Sequence, residues 1–323
     1  MALIQKRTKI KVITVEMILV EHLTKDYGSG RGVFDVSFAV QKGEVFGFLG
    51  PNGAGKTTTI RHIMGFSKPH TGRTSVLGID SWINPSEIQR DLGYLPGELA
   101  FPQNLSGLSF IAMMAKLRGL KDMSKMEYLS KKFDLDPRGS IKRMSLGTKR
   151  KLAIVTAFMH DPDILVLDEP TSGLDPIMQK VFTDFVLEEK DKGKTVLLSS
   201  HIFSEVDATC DRIAIIKDGK IVSTVISDTL RHNESKVYKI EFSTEGDFNR
   251  FIAEEKLEIQ SKKTDKRQVK VLVNDAQINT FFTVMAAYSI NFLSEIKFTL
   301  EDYFMDFYDE NLTVEEGLKN VTH

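Results

Sequence analysis

Gly50, Pro51, Asn52, Gly53, Ala54, Gly55, Lys56 and Thr57 follow one another between an apolar run at 44–49 and a segment able to start a helix near Gly55. A glycine, four residues and then Gly-Lys-Thr form the P-loop pattern, and both parts of its required context, a strand before and a helix after, are met. The glycines let backbone N–H groups turn inward around phosphates, while the helix start adds unpaired donors and the positive end of its dipole. Lys56 is expected to neutralise the β- and γ-phosphates of a nucleoside triphosphate and Thr57 to ligate Mg²⁺ through its hydroxyl, with Thr58 in the same binding set. This feature commits the chain to an α/β fold with a P-loop NTPase core.

The sheet is legible around it. Residues 18–23, 33–40 and 44–49 read as strands separated by glycine-containing turns, and strands return at 163–168, 195–199 and 212–216. The later ones are continuous apolar runs, as in a parallel sheet buried on both faces. Asp218-Gly219 between two strand-like runs predicts a hairpin. Between them, about 85–160 carries mostly helical spacing, with Leu108, Ile111, Ala112 and Ala115 on one stripe and Met126, Leu129 and Phe133 on another.

Ile164-Leu-Val-Leu-Asp168-Glu169 is an apolar strand ending in two carboxylates. In open α/β folds ligands bind at the carboxyl ends of the strands, so these groups reach the edge that carries the P-loop. Asp168 is expected in the Mg²⁺ shell and Glu169 as the base that orients and polarises the attacking water. An isolated acidic pair after a strand is more often a helix cap; the P-loop upstream reverses that reading. Ser145 precedes a run with helical spacing, Leu152, Val155, Thr156 and Met159, which makes it a natural N-cap whose neighbouring N–H groups can hold an anion. Lys149, Arg150 and Lys151 in the first turns oppose the helix dipole, and they read either as a relieved anion site or as a solvated basic patch. His201 follows another strand end, where its imidazole can meet the γ-phosphate.

Met144-Ser145-Leu146-Gly147-Thr148, Thr171-Ser172-Gly173-Leu174-Asp175 and His201 stand in that order around Asp168-Glu169. The ordered set, spanning about residues 18–225, resembles the ATP-binding subunits of ABC transporters. The five-residue segment looks like their signature motif, departing from the common Leu-Ser-Gly-Gly-Gln at Met144, Leu146 and Thr148, and Asp175 and His201 look like their D-loop and switch-histidine residues. The Leu-Pro-Gly-Glu stretch at 95–98, the signature form and the C-terminal extension look like bacterial drug- and antibiotic-exporting ATPases.

This resemblance implies a P-loop core with an antiparallel β subdomain and a helical subdomain at about 85–160, together occupying 17–228. It implies ATP as the nucleotide, with Tyr27 stacked on adenine, and a head-to-tail dimer in which Ser145, Gly147 and Asp175 complete the ATP site. The second subunit would be a copy or a related chain. Separate transmembrane subunits would be driven from the cytoplasmic face, with Phe110, Met113 and Met114 as candidate contacts or as core. One family position departs: where most members carry a glutamine that touches Mg²⁺ and water, this chain has Gly97, and Glu98 beside it is the candidate replacement oxygen ligand.

The remaining features narrow the alternatives. A net charge of −1 gives no footprint for nucleic acid, and the single cysteine, Cys210, permits no internal disulfide, which fits a cytosolic protein. No run approaches the roughly 18–20 apolar residues of a membrane span. Residues 1–16 are basic without an apolar core and read as a flexible extension. From 229 to 323 the pattern changes: Val269, Val271 and Val273 alternate, while Ile278, Phe281, Phe282 and Met285, then Leu300, Tyr303, Phe304, Phe307 and Tyr308, keep helical spacing. This predicts a small accessory α+β domain, regulatory or dimer-supporting, without a catalytic constellation. A soluble ABC-type ATPase and a nucleotide-binding regulator not coupled to transport are the other readings. The former would be expected to show a tandem ATPase set or a long heptad insertion, and the latter to lack some of Lys56, Thr57, Asp168, Glu169 and His201.

Overall fold

A computed structural model describes residues 15–231, 235–296 and 299–306. The extension expected over 1–16 therefore lies outside the described residues apart from Val15 and Glu16, as do Phe307 and Tyr308. The chain divides between Thr224 and Val225 into two compact units. No helix among the described residues is long and apolar enough to cross a membrane.

In the first unit β1 (Glu16–Asp26), β2 (Gly32–Gln41), β4 (Thr71–Val76) and β5 (Ile79–Asp80) form an antiparallel sheet in the order β2-β1-β4-β5. The other sheet runs β10-β9-β3-β8-β7-β6, from β3 (Val45–Leu49), β6 (Leu92–Leu95), β7 (Ile164–Asp168), β8 (Thr195–Ser200), β9 (Arg212–Lys217) and β10 (Lys220–Ile226). Every residue of β3, β7 and β8 is buried, because both faces of this parallel part of the sheet are covered, one of them in a core shared with the antiparallel sheet. Each large apolar side chain so buried contributes roughly 1.5–3 kcal/mol. Phe38 of β2 stacks on Phe46 of β3 with ring centroids 5.1 Å apart and joins the two sheets. The turn at Asp218-Gly219 does connect β9 to β10, whereas β4 and β5, polar and short, carry no pattern that separates them from loop.

Helices α1 (Lys56–Ile63), α2 (Pro85–Asp91), α3 (Gly107–Leu117), α4 (Ser124–Lys132), α5 (Leu146–Phe158), α6 (Pro176–Asp191) and α7 (Phe203–Thr209) fill the connections. The stretch at 85–160 is interrupted by β6, which pairs with β7 at the sheet edge. On α3 the buried line is Gly107, Ile111 and Ala115, not the broader stripe expected, and Leu108 and Ala112 face outward. The reason lies at Gly107, where an added Cβ would stand 2.7 Å from the Pro137 carbonyl oxygen; this close approach fixes which side of α3 turns inward. Met113 is exposed, while Phe110 is half-buried edge-to-face against Phe101. On α4 Leu129 is buried as expected, with Phe133 just past its end.

In the second unit, α8 (Ser227–Arg231) leads to β11 (Ser235–Phe242), α9 (Glu245–Glu254), β12 (Glu258–Lys263), β13 (Gln268–Asn274), α10 (Ile278–Met285), β14 (Ile290–Ile296) and α11 (Leu300–Asp306). The order β12-β13-β11-β14, antiparallel throughout, is the split β-α-β of ferredoxin-like domains. Val269, Val271 and Val273 point into a core with Tyr238, Ile240, Phe242, Phe248, Phe251, Phe281 and Met285, whereas Phe282 faces outward.

Candidate functional site

The carboxyl ends of β3, β7 and β8 meet at one edge because the strands are parallel and in register, Leu49 beside Ser200 and Asp168 beside Ser199. Two glycines shape the phosphate loop there. At Gly50 a Cβ would lie 2.4 Å from the Ile216 carbonyl oxygen, and Gly55, with φ 111, caps α1 in a conformation closed to other residues. Lys56, buried at the first position of α1, turns back into the loop and donates to the carbonyls of Gly50 at 2.6 Å and Pro51 at 3.1 Å. Its Nζ also forms an ion pair with Glu169 Oε1 at 3.1 Å. Thr57 is exposed beside it, and Asn52 and Gly53 are exposed at the loop tip.

Glu169 leaves β7 with φ 47, a left-handed conformation that costs a non-glycine residue roughly 1–2 kcal/mol. Its N–H, donated to the Ser199 carbonyl at 3.1 Å, helps hold it there. The turn aims one carboxylate oxygen at Lys56 and the other at His201 Nδ1, 2.6 Å away. Lys56, Glu169 and His201 thus form one continuous polar chain. Asp168, fully buried, accepts from Ser199 Oγ at 2.5 Å through Oδ1, while Oδ2 has no hydrogen-bond partner among the described residues. A buried carboxylate oxygen without a donor is costly unless something positive arrives, and this is the fit expected of a Mg²⁺ ligand. Among the described residues no group of three or more His, Cys, Asp or Glu side chains forms a metal cage. Mg²⁺ needs none, since it is held by one or two protein oxygens together with substrate phosphates and water.

The loop after β6 comes close to the same oxygen. A Cβ on Gly97 would stand 3.1 Å from Asp168 Oδ2, whereas the Glu98 side chain is exposed. Tyr94 of β6 has its hydroxyl pushed up to about 12, first by burial and then by the charge of Asp168. Tyr27, beyond β1, presents an exposed ring with Lys25 Nζ 5.8 Å from its centroid.

Ser145 is the N-cap of α5, its hydroxyl accepting from Thr148 N–H at 3.1 Å, and Asp175 caps α6 in the same way, accepting from Met178 N–H at 3.0 Å. A Cβ on Gly147 would meet the Gly173 carbonyl oxygen at 3.0 Å, so the two segments abut. Among the described residues, no hydrogen bond or ion pair joins Ser145 to the phosphate loop. The basic triplet is not a solvated patch. Arg150 is buried and donates to three backbone carbonyls, Lys151 donates to the Asp134 carbonyl at 3.3 Å, and Lys149 is half-buried.

Ser199 and Glu205 carry no motif in the sequence, and Arg150 stands out there only as one of three cations. Ser199-Ser200, polar at the end of an apolar strand, is the one signal that could have marked the Asp168 contact. Glu205 of α7 is buried against Ser200 Oγ at 2.6 Å, and burial pushes its carboxyl up to about 7.

Comparison with known proteins adds the following. The family model described as "ABC transporter" matches residues 33–172. The probable multidrug ABC transporter ATP-binding protein YbhF of Escherichia coli is 36% identical over 220 residues, 67% of this chain and 38% of that protein. The chain therefore spans well under half the length of that relative. The bacitracin transport ATP-binding protein BcrA of Bacillus licheniformis is 35% identical over 224 residues, 68% of this chain and 73% of that protein. A solved structure, "Structure of ATP binding subunit of ABC transporter", superposes with a TM-score of 0.61 at 30% identity, covering 67% of this chain and 92% of the other.

Proposed function

Because the chain belongs to the family of ABC transporter ATP-binding proteins, we propose that it binds and hydrolyses ATP with Mg²⁺ and so drives separate membrane subunits. The observation that carries this reading is the contact chain from Lys56 through Glu169 to His201 beside the unpartnered Oδ2 of Asp168. Mg²⁺, held by the Thr57 hydroxyl and Asp168, would withdraw charge from the phosphate oxygens. Lys56 exchanges the Gly50 and Pro51 carbonyls and Glu169 for phosphate oxygens, within a loop whose Gly50–Thr58 backbone surrounds them. Glu169, released from Lys56, accepts a hydrogen bond from the attacking water and polarises it. With both ring nitrogens carrying protons, His201 orients Glu169 through Nδ1–H and donates from Nε2–H to the γ-phosphate, and Tyr27 stacks on adenine.

A second subunit, a copy or a related chain, supplies Ser145, Gly147 and Asp175 to close the site; among the described residues no hydrogen bond or ion pair joins Ser145 to the phosphate loop of its own chain. The names of two relatives, a probable multidrug ABC transporter ATP-binding protein and a bacitracin transport ATP-binding protein, support export, from a position at the cytoplasmic face held through partner subunits. The exposed Met113 of α3, with the half-buried Phe110 and Met114, makes the membrane-subunit contacts in this reading, and residues 229–323 act as a regulatory or dimer-supporting module.

Single-turnover hydrolysis tests it. Glu169→Gln keeps ATP binding and loses ~10²–10⁴-fold in rate, as removal of a general base requires. A near wild-type rate would remove Glu169 from the role.

A further inference from the structure

Arg150 stands at the head of the largest fully buried side chains of the described chain. It lies in α5, five positions beyond the N-cap Ser145. Its guanidinium donates from Nε to the Ser172 carbonyl at 2.9 Å, from Nη1 to Pro96 at 2.7 Å and from Nη2 to Gly97 at 2.7 Å. No carboxylate among the described residues pairs with it directly. Burial lowers its proton affinity, and Asp168 and Glu169, the nearest compensating charges, raise it.

The three carbonyls belong to two loops with separate duties. Pro96 and Gly97 follow β6, and Gly97 is the residue whose α-carbon faces Asp168 Oδ2 so closely that a Cβ would stand 3.1 Å from it. Ser172 belongs to the turn that leads from Glu169 to Asp175. A planar fork with every arm engaged leaves little slack: moving α5 along its axis must either break bonds in a buried site or carry both loops with it. Between Ser145 and Arg150 the helix is a stiff rod of about 7.5 Å, five residues at 1.5 Å each.

We propose that Arg150 is a positioning residue that couples the anion-binding end of α5 to the Asp168 metal site, so that the ATP α5 engages adjusts the site of its own chain. The inference rests on the dimer reading given above, in which the ATP met by Ser145 lies on the other subunit. Gly97 has no side chain to reach the metal, and Arg150 instead sets the position of that loop's backbone against Asp168. The two ATP sites of the dimer then communicate through one side chain in each subunit.

Two measurements decide it. Arg150→Lys keeps the charge but cannot hold three carbonyls at once. We expect Mg²⁺-free ATP binding to remain near wild type, kcat to fall by about 10–10²-fold as catalytic groups lose register, the Mg²⁺ concentration for half-maximal activity to rise, and cooperativity in ATP to disappear. Unchanged Mg²⁺ dependence and cooperativity would overturn the inference, even with a lower melting temperature. The second measurement leaves Arg150 in place. In the Glu169→Gln protein, addition of ATP and Mg²⁺ should slow hydrogen exchange at residues 97–98 and 172–174 together, and protection of one loop without the other would overturn the coupling. Failure of the Glu169→Gln protein to dimerise with ATP would overturn the functional reading and this inference with it. A normal dimer with independent loops would overturn this inference alone.

Discussion

Glu169 Oε1 lies 3.1 Å from Lys56 Nζ, so the carboxylate proposed to handle water is paired with the cation proposed to handle phosphate. The pair keeps a buried lysine and a mostly buried glutamate from standing uncompensated. It also means that phosphate binding frees the base. Lys56→Ala should therefore weaken ATP binding itself, by at least about tenfold for a lost charge-assisted contact, whereas Glu169→Gln should leave it intact. Equilibrium binding of a fluorescent ATP analogue to both variants checks this; equal losses would mean that the two residues act as one structural unit.

Ser145 caps α5 while remaining exposed, so a side chain placed there projects into whatever covers the helix end. The Glu169→Gln protein is expected to dimerise with ATP and Mg²⁺, and adding Ser145→Arg is expected to abolish the dimer. Light scattering reads the mass. A dimer that forms equally without nucleotide, or persists with the arginine, would contradict a shared site.

Gly97 and Glu98 predict different responses to Mg²⁺. Gly97→Ala places a methyl 3.1 Å from the unpartnered oxygen of Asp168 and should raise the Mg²⁺ concentration for half-maximal ATPase activity several-fold, order ~1 kcal/mol of overpacking. Glu98→Ala removes an exposed carboxylate, so its shift should be smaller and should appear without a change in ATP affinity. Mg²⁺ titrations of the two proteins side by side decide it, and a larger shift for Glu98→Ala would make Glu98 the ligand.

Glu205 makes stability depend on pH. Its carboxyl is raised from 4.5 to about 7, chiefly by burial, so between those values the folded protein holds a proton the unfolded chain has released. The stabilising contribution is full below the unfolded value and is lost as pH rises through the folded one, a change of order ~3 kcal/mol. Glu205→Gln stays neutral throughout, so its stability relative to wild type should improve from pH 5 to pH 8. Urea denaturation at the two pH values measures the difference, and a constant gap would show that Glu205 is ionised throughout.

The P-loop was legible in the sequence because its geometry is local: glycines, a strand before and a helix after determine how eight consecutive residues turn. The apolar runs of β3, β7 and β8 were legible for a related reason, since burial on both faces admits almost no other composition. N-caps such as Ser145 also depend only on residues within one turn. What the tertiary structure decided was which of these pieces touch. His201 reaches Glu169 across 32 residues, Ser199 reaches Asp168 across 31, and Arg150 reaches Pro96 across 54. These contacts follow from strand order and register, which no local pattern encodes. The inward face of α3 and the burial of Arg150 belong with them. A Lys-Arg-Lys triplet reads either as an anion site or as a solvated patch until neighbouring loops present carbonyls that a planar cation can satisfy, and a helix stripe stays ambiguous until a close approach such as that of Gly107 to Pro137 selects the side that turns inward.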